Sequence, residues 1–418
     1  MIAEFVRDKE SFLAFRYLDF RRFIFSKFLF TLGMQIQFVV LSWQIYQITH
    51  DPLSLGFLGL AEAIPAVGLS LYGGYFADRH DRRKIMLILQ VLIFLSSCIL
   101  LYLTYRMSSV VGASQSAIPF YVIMFFIGMT RAFYSPAQFS LMTQVVPREA
   151  YANSSAWNST FWHVAVVLGS SAGGLMLGFL GKHTTYTVVI ILLLFSGFQL
   201  FRIASIPLKK QAAADSMRKN IREGLRFVFS NQAILGALSL DLVAVLFGGA
   251  TAMLPIFASD ILQVGEKGFG FLRAAPFAGS VLMALYMTKH PPLKRAGKKL
   301  LICVAGFSMC MIAFAISRNF YLSLFILALS GAFDNVSVVI RSTIVQLKTP
   351  DEMRGRVSSV STMFISSSNE IGAFESGFAA KLLGLVPSVV LGGTVALTSV
   401  FAASRWLPEL RKLDLDKS

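Results

Sequence analysis

Gly74-Tyr75-Phe76-Ala77-Asp78-Arg79-His80-Asp81-Arg82-Arg83-Lys84 is a short basic stretch between two apolar runs, 53–77 and 83–106. Each run is close to the ~20 residues an α-helix needs to cross a hydrocarbon core ~30 Å thick. The same alternation extends in both directions along the 418 residues. Apolar runs lie near 20–48, 53–77, 83–106, 117–144, 153–181, 184–206, 232–262, 268–289, 299–317, 319–347, 355–383 and 387–407, which predicts an all-α polytopic membrane protein with twelve transmembrane helices. Only 14% of residues are charged and 55% are hydrophobic. A soluble domain carries ~25% charged residues, so a water-soluble globule is excluded. No stretch alternates apolar and polar residues over the ~10 positions of a barrel strand, which excludes a closed β-barrel. Pro65, Pro136, Pro255 and Pro276 fall inside runs, where kinks are expected.

The 38 Lys and Arg residues against 22 Asp and Glu give a net charge of +16. They sit at the ends of apolar runs and not on one soluble face, so no nucleic-acid partner is expected. One set of connections holds Arg7, Lys9, Arg16, Arg21 and Arg22, then Arg79, Arg82, Arg83 and Lys84, then Arg148, Lys209, Lys210, Arg218, Lys219, Arg222 and Arg226. Lys289, Lys294, Arg295, Lys298, Lys299, Lys348, Arg354 and Arg356 fall on the same side, whereas the opposite connections hold only Arg106, Lys182, Lys267, Arg318 and Lys381. The positive-inside bias places both termini in the cytoplasm, and a multi-pass protein of the plasma (inner) membrane is expected. The first run is too long for a signal-peptide core, so no cleavage is expected. Cys98, Cys303 and Cys310 all lie inside apolar runs and offer no disulfide framework.

The only long polar connection, 207–231, divides the chain into halves at 1–206 and 232–418. Met217, Ile221, Leu225 and Val228 recur there at helical spacing with Arg218, Lys219, Arg222 and Arg226 opposite, so an amphipathic helix on the cytoplasmic membrane surface competes with a flexible linker. An internal repeat supports the division: Ser140, Gln144, Pro147 and Glu149 close the fourth run as Ser342, Gln346, Pro350 and Glu352 close the tenth.

The stretch from Gly74 to Lys84 resembles the loop motif of the major facilitator superfamily, with Asp81 where many members carry glycine. Leu254-Pro255, Gly270 to Pro276, Asp351 to Val357 and Asn369 to Gly377 resemble its enterobactin-exporter and macrolide-efflux branch. The resemblance covers essentially the whole chain. It implies two six-helix bundles, rocker-switch alternating access and proton-driven export of a small amphipathic molecule, siderophore-like or drug-like, by a monomer. It also implies a cytoplasmic gate of Gly74, Asp78, Arg79, Arg82 and Arg83 working with Arg354 and Gly355 at the start of the eleventh span.

Ionisable residues inside spans cost ~2.5–3.5 kcal/mol on insertion scales and are functional candidates. Glu62 and Arg131 lie at similar depth in the second and fourth spans, where a pair is geometrically possible. Asp334 and Arg341 are seven residues apart, on one face of the tenth span, and with Asp241 and Glu370 they form a candidate proton-coupling network. For Arg341, Glu375 and Asp260, near span ends, structural ion pairs are the favoured reading. His163 reads as a hydrogen-bonded interior histidine whose titration range also suits a proton relay. Gly169, Gly173, Gly174 and Gly178 line a small-residue seam in the fifth span. Among the 38 Phe residues most read as lipid-facing. Phe30, Phe38, Phe133, Tyr134, Phe161 and Phe247 fall in spans that line the cavity of the resembled fold and are its candidate aromatic walls.

There is no GxxxxGK[ST] loop, no metal-ligand spacing and no nucleophile with a positioned base, so no cofactor, no metal and no enzymatic activity are expected. The partners expected are a small-molecule substrate, protons and the lipid bilayer. Two rivals keep part of this reading: a lysophospholipid flippase or facilitator, suggested by Ala132 to Ala137, and a membrane sensor or scaffold that no longer transports. Orientation is tested by single cysteines. A cysteine replacing Lys182 should be labelled by an impermeant maleimide in intact cells, whereas one replacing Lys210 should require permeabilisation; the reverse pattern inverts the topology.

Overall fold

In the computed structural model, the described residues are 12–109, 116–204, 217–248, 251–290, 292, 294–350 and 353–415. They are helical, with no strand among them. The long helices are α1 (Leu18–Thr49), α2 (Pro52–Gly68), α3 (Ser70–Arg79), α4 (Arg82–Ser109), α5 (Ile118–Gln144), α6 (Tyr151–Phe201), α7 (Met217–Ser230), α8 (Gln232–Phe247), α9 (Gly265–Lys289), α10 (Ala296–Ile316), α11 (Phe320–Lys348), α12 (Arg354–Leu383) and α13 (Leu385–Trp406). Among the described residues, eight helices are long and apolar enough to cross a membrane, and nine if a bent pair counts as one span. This is a multi-pass membrane protein.

Helix ends are set locally. Asp81 Oδ1 accepts the backbone N–H groups of Arg83 and Lys84 at 3.0 and 3.2 Å and so starts α4. Asn231 and Asn319 cap α8 and α11 in the same way, at 3.1 and 3.0 Å. Each cap satisfies amides that a helix start leaves without partners. Helix α6 has 51 residues and breaks at Gly181, whose φ of 75° and ψ of 170° leave the helical region. Gly384, with φ of 89° and ψ of 156°, makes the same turn between α12 and α13. Only glycine adopts that backbone cheaply.

By packing, the chain forms two compact units, Met1–Thr49 with Ala61–Lys210, and His50–Leu60 with Gln211–Ser418. In the first, α1 lies along α6, where Gly173 approaches the Ile36 backbone so closely that a Cβ would sit 2.9 Å from Ile36 Cα. In the second, α9 crosses α11 backbone to backbone. A Cβ on Gly279 would fall 1.7 Å from the Ala328 carbonyl oxygen, and one on Gly331 would fall 1.9 Å from that of Pro276. Small residues at such crossings supply the van der Waals contact that holds helices together in lipid.

One span differs from the sequence expectation, and the polar connection takes one of its two expected forms. The run 232–262 is not one helix: α8 ends at Phe247, a turn begins at Leu254, and Phe257–Ile261 is a π-helix. Pro255 therefore opens a helical turn, where its missing N–H costs nothing, instead of kinking a helix interior. The segment 207–231 is described from Met217 onward, where it forms α7, bent by 100° from α8. Val228 is fully buried with Leu225 packed beside it, and Gly224 lets α7 approach the Arg356 carbonyl on α12. Glu223 pairs with Arg356. The apolar face of α7 thus turns onto its own unit as well as away from water. Gly279→Val should lower the thermal melting temperature by the cost of overpacking, roughly 1–3 kcal/mol, whereas Gly68→Ala, with nothing within 4 Å of the added carbon, should leave it unchanged.

Candidate functional site

The first unit carries its charge pair where helices touch most closely. A Cβ on Gly128 of α5 would lie 2.1 Å from the Glu62 carbonyl, and one on Gly73 of α3 would lie 2.3 Å from that of Ala132. These two contacts bracket Arg131 and bring its guanidinium to Glu62, with Nη1 donating to Oε1 at 2.7 Å. Arg131 keeps 47% of its side chain exposed and Glu62 only 12%, so the arginine faces outward from the acid it neutralises.

The first unit also carries a polar ladder that the apolar pattern concealed. Gln37 and Gln44 stand two turns apart on one face of α1. Ser97 donates to Gln37 at 2.6 Å, while Gln44 bonds Thr104 at 3.1 Å and accepts from Tyr186 at 3.2 Å. Nearer the start of α1, Ser26 Oγ donates to the Ser196 carbonyl at 2.8 Å, and Gln90 donates to Tyr134 at 3.3 Å. Lys27, also unanticipated, donates to Asn158 Oδ1 at 2.7 Å and is 6% exposed.

The second unit holds a buried ion pair between Asp241 on α8 and Arg341 on α11. Asp334, two turns earlier on α11, has no ion-pair partner among the described residues. Within the expected network of Asp241, Asp334, Arg341 and Glu370, the ion pair joins Asp241 to Arg341, as the structural pairing favoured for Arg341 anticipates. Asp241 and Asp334 both line a cavity of about 20 Å³ with Ala244, Val245, Val304, Phe307 and Ser337. That volume holds roughly one water molecule. Arg273 on α9 donates to the Thr251 carbonyl at 3.1 Å. Glu375 makes no ion pair among the described residues, contrary to the structural pairing expected of it.

Other expected site residues distribute as follows. Phe30 and Tyr134 stack at 4.4 Å and are buried in the core of the first unit, so they pack the bundle instead of walling an open cavity. Phe133 meets Tyr72 and Phe76 edge-on, Phe161 meets Phe28 and Trp157, and Phe38 and Phe247 are partly buried. His163 is exposed beside Trp162. Arg79 is exposed at the end of α3. Arg82 is buried, and Arg83 binds the Phe201 carbonyl and lies over the Phe201 ring at 5.5 Å. Arg83 thus caps the last turn of α6, a structural duty beside its expected place at the gate. Gly74 falls within α3 and Gly355 in the first turn of α12, while the side chains of Asp78, Arg354 and Glu370 lie outside those described.

Comparison with known proteins places this arrangement. Residues 10–418 match the model of the transmembrane secretion effector family, within the major facilitator superfamily of transporters. The chain belongs to this family. It is a membrane transporter by family and not an enzyme. Among its relatives, the enterobactin exporter EntS of Escherichia coli O1:K1 and that of Shigella boydii are each 23% identical over 375 residues, covering 90% of this chain and 88% of theirs. Among solved structures, a D-xylose–proton symporter superposes with a TM-score of 0.70 at 14% identity, covering 96% of this chain and 100% of that one. An inward-facing bacterial homologue of the human lysosomal transporter Spinster gives 0.68 at 15% identity, covering 94% and 98%. These likenesses show the fold.

The buried pair predicts a diagnostic pattern. Arg341→Met leaves the Asp241 carboxylate buried without its counter-charge and should destabilise by roughly 3–5 kcal/mol, whereas the double variant Arg341→Met with Asp241→Asn should recover most of that loss in a thermal melt. Additive losses contradict the pairing.

Proposed function

We propose that this protein is a secondary active exporter that moves small amphipathic molecules, siderophore-like or drug-like, out of the cytoplasm in exchange for protons by alternating access. Export is supported by the family description and by the exporter relatives. In this reading twelve spans form two six-helix bundles, 1–206 and 232–418, joined through 207–231. Helix α6 contributes two spans, since 51 residues extend about 77 Å as one helix. The α2–α3 pair, the broken segment from α8 to Ile261, and α12 complete the twelve. The protein sits as a monomer in the inner membrane with both termini cytoplasmic, and Asp78 at the end of α3 is the gating acid.

The observation that carries proton coupling is the pattern of counter-charges. Glu62 and Asp241 each face an arginine as counter-charge. Asp334 has none among the described residues and borders a cavity large enough for one water. We assign Asp334 as the proton carrier. The Asp241–Arg341 pair beside it provides a charge that responds when the proton arrives or leaves. A membrane potential supplies ~2.3 kcal/mol per charge per 100 mV, so one or two protons suffice for concentrative export.

Inside-out vesicles with an acidic lumen test this. Asp334→Asn should abolish gradient-driven accumulation of a lipophilic cargo while leaving downhill exchange, and Asp78→Asn should slow both without lowering expression. If Glu62→Gln, Asp241→Asn, Asp334→Asn and Glu370→Gln each retain full gradient-driven transport, the protein is a facilitator.

A further inference from the structure

We infer that Lys27 on α1 and Asn158 on α6 form a binding site for the anionic oxygen group, carboxylate, phenolate or phosphate, of an amphipathic cargo. This inference rests on the transport reading above and names the chemistry of what is carried.

A lysine within an apolar helix ordinarily extends its ammonium to the membrane surface. Lys27 does not. It is 6% exposed, and Nζ is turned to Asn158 Oδ1 at 2.7 Å. An amide oxygen takes one hydrogen bond and leaves the positive charge uncompensated, while an ammonium carries three donors. Lys27 has no acidic partner among the described residues. Two ammonium N–H groups and the Asn158 amide N–H₂ are therefore donors without acceptors there. A group of donors around an uncompensated cation fits an anionic oxygen and nothing cationic or apolar.

The internal repeat strengthens the point. Lys27 is the tenth residue of α1, counting from Leu18, and Asp241 is the tenth of α8, counting from Gln232. Helices α1 and α8, the first expected span of each half, thus carry a buried charge at the same place. In the second unit Arg341 neutralises it. In the first unit Lys27 meets Asn158 and no acid among the described residues, which suits an anionic ligand as the counter-charge.

Surroundings define the rest of the ligand. Ser26, Gln37 and Gln44 use another face of α1 to bind α4 and α6. Lys27 shares its face with Thr31, Met34 and Phe38, at spacings of four, seven and eleven residues. Phe161 lies one turn beyond Asn158 and sits 5.8 Å from Phe28 and 6.0 Å from Trp157, ring centre to ring centre. An anion attached to an aromatic ring or acyl chain meets both features. A purely structural hydrogen bond between α1 and α6 would need no charge.

The test is calorimetric titration of the full-length protein in zwitterionic nanodiscs, with three probes: salicylate, its neutral isostere salicylamide, and lysophosphatidylglycerol. Salicylate should bind at least tenfold tighter than salicylamide. Lys27→Met should remove at least tenfold of the affinity for the anion and leave that for the amide unchanged, while Lys27→Arg retains it. Salicylate binding identifies a free organic anion as the source of the oxygen group; binding of lysophosphatidylglycerol alone, with the same Lys27 dependence, identifies a lipid headgroup. Equal binding of acid and amide by the unmodified protein overturns the inference without recourse to any variant. So does anion affinity that survives Lys27→Met, or failure of both anions to bind. The titration uses no ion gradient, so its failure leaves the export reading standing. Intact anion binding without gradient-driven efflux would remove that reading instead.

Discussion

A charge inside a membrane-spanning bundle must be compensated, and the arrangement of both units follows from how each charge meets that demand. Arg341 takes Asp241 and Arg131 takes Glu62. One close helix crossing serves the Glu62–Arg131 pair. At Gly128, α5 approaches α2 until the Glu62 carbonyl is within contact of where a side chain would begin, and Arg131 is one turn away. Without that approach the guanidinium and the acid would be separated by a layer of apolar side chains.

Set against these two matched pairs are charged groups whose compensation is incomplete among the described residues, among them Asp334 in the second unit and Lys27 in the first. Their signs are opposite, and each matches one of the species an antiporter exchanges. A carboxylate without a counter-charge is a place for a proton. An ammonium held by a neutral amide is a place for an anion. In this account the matched pairs are the frame, and the unmatched groups are where the cargo and the driving ion enter the electrostatic balance of the protein.

Much of the fold was legible because the bilayer imposes length and polarity on every span. The apolar runs, the basic connection at Arg79 to Lys84 and the amphipathic spacing of α7 all follow from that constraint. The Glu62–Arg131 pair was legible because two opposite charges stood at equal depth. Other features were hidden for physical reasons. The ladder through Ser26, Gln37, Gln44 and Gln90 consists of neutral polar residues, which scarcely disturb hydropathy, although the seven-residue spacing of Gln37 and Gln44 marks one helix face. Lys27 stands close to Arg21 and Arg22 in sequence and so reads as part of the interfacial cluster; only its burial separates it. The end of α8 at Phe247 is invisible in an apolar run because loss of helix there leaves composition unchanged. Arg83 drew a gating role from its loop, while the carbonyl it binds lies 118 residues away in sequence.

The central claim is that Asp334 is the group that takes up and releases the transported proton. Infrared difference spectroscopy of the reconstituted protein between alkaline and acidic pH tests it most directly, since a carboxylic acid carbonyl absorbs apart from a carboxylate. The account predicts a protonated-acid band on acidification that is lost in Asp334→Asn and kept in Asp241→Asn and Glu62→Gln. A band that persists in Asp334→Asn, or that disappears with either of the other two variants, contradicts it.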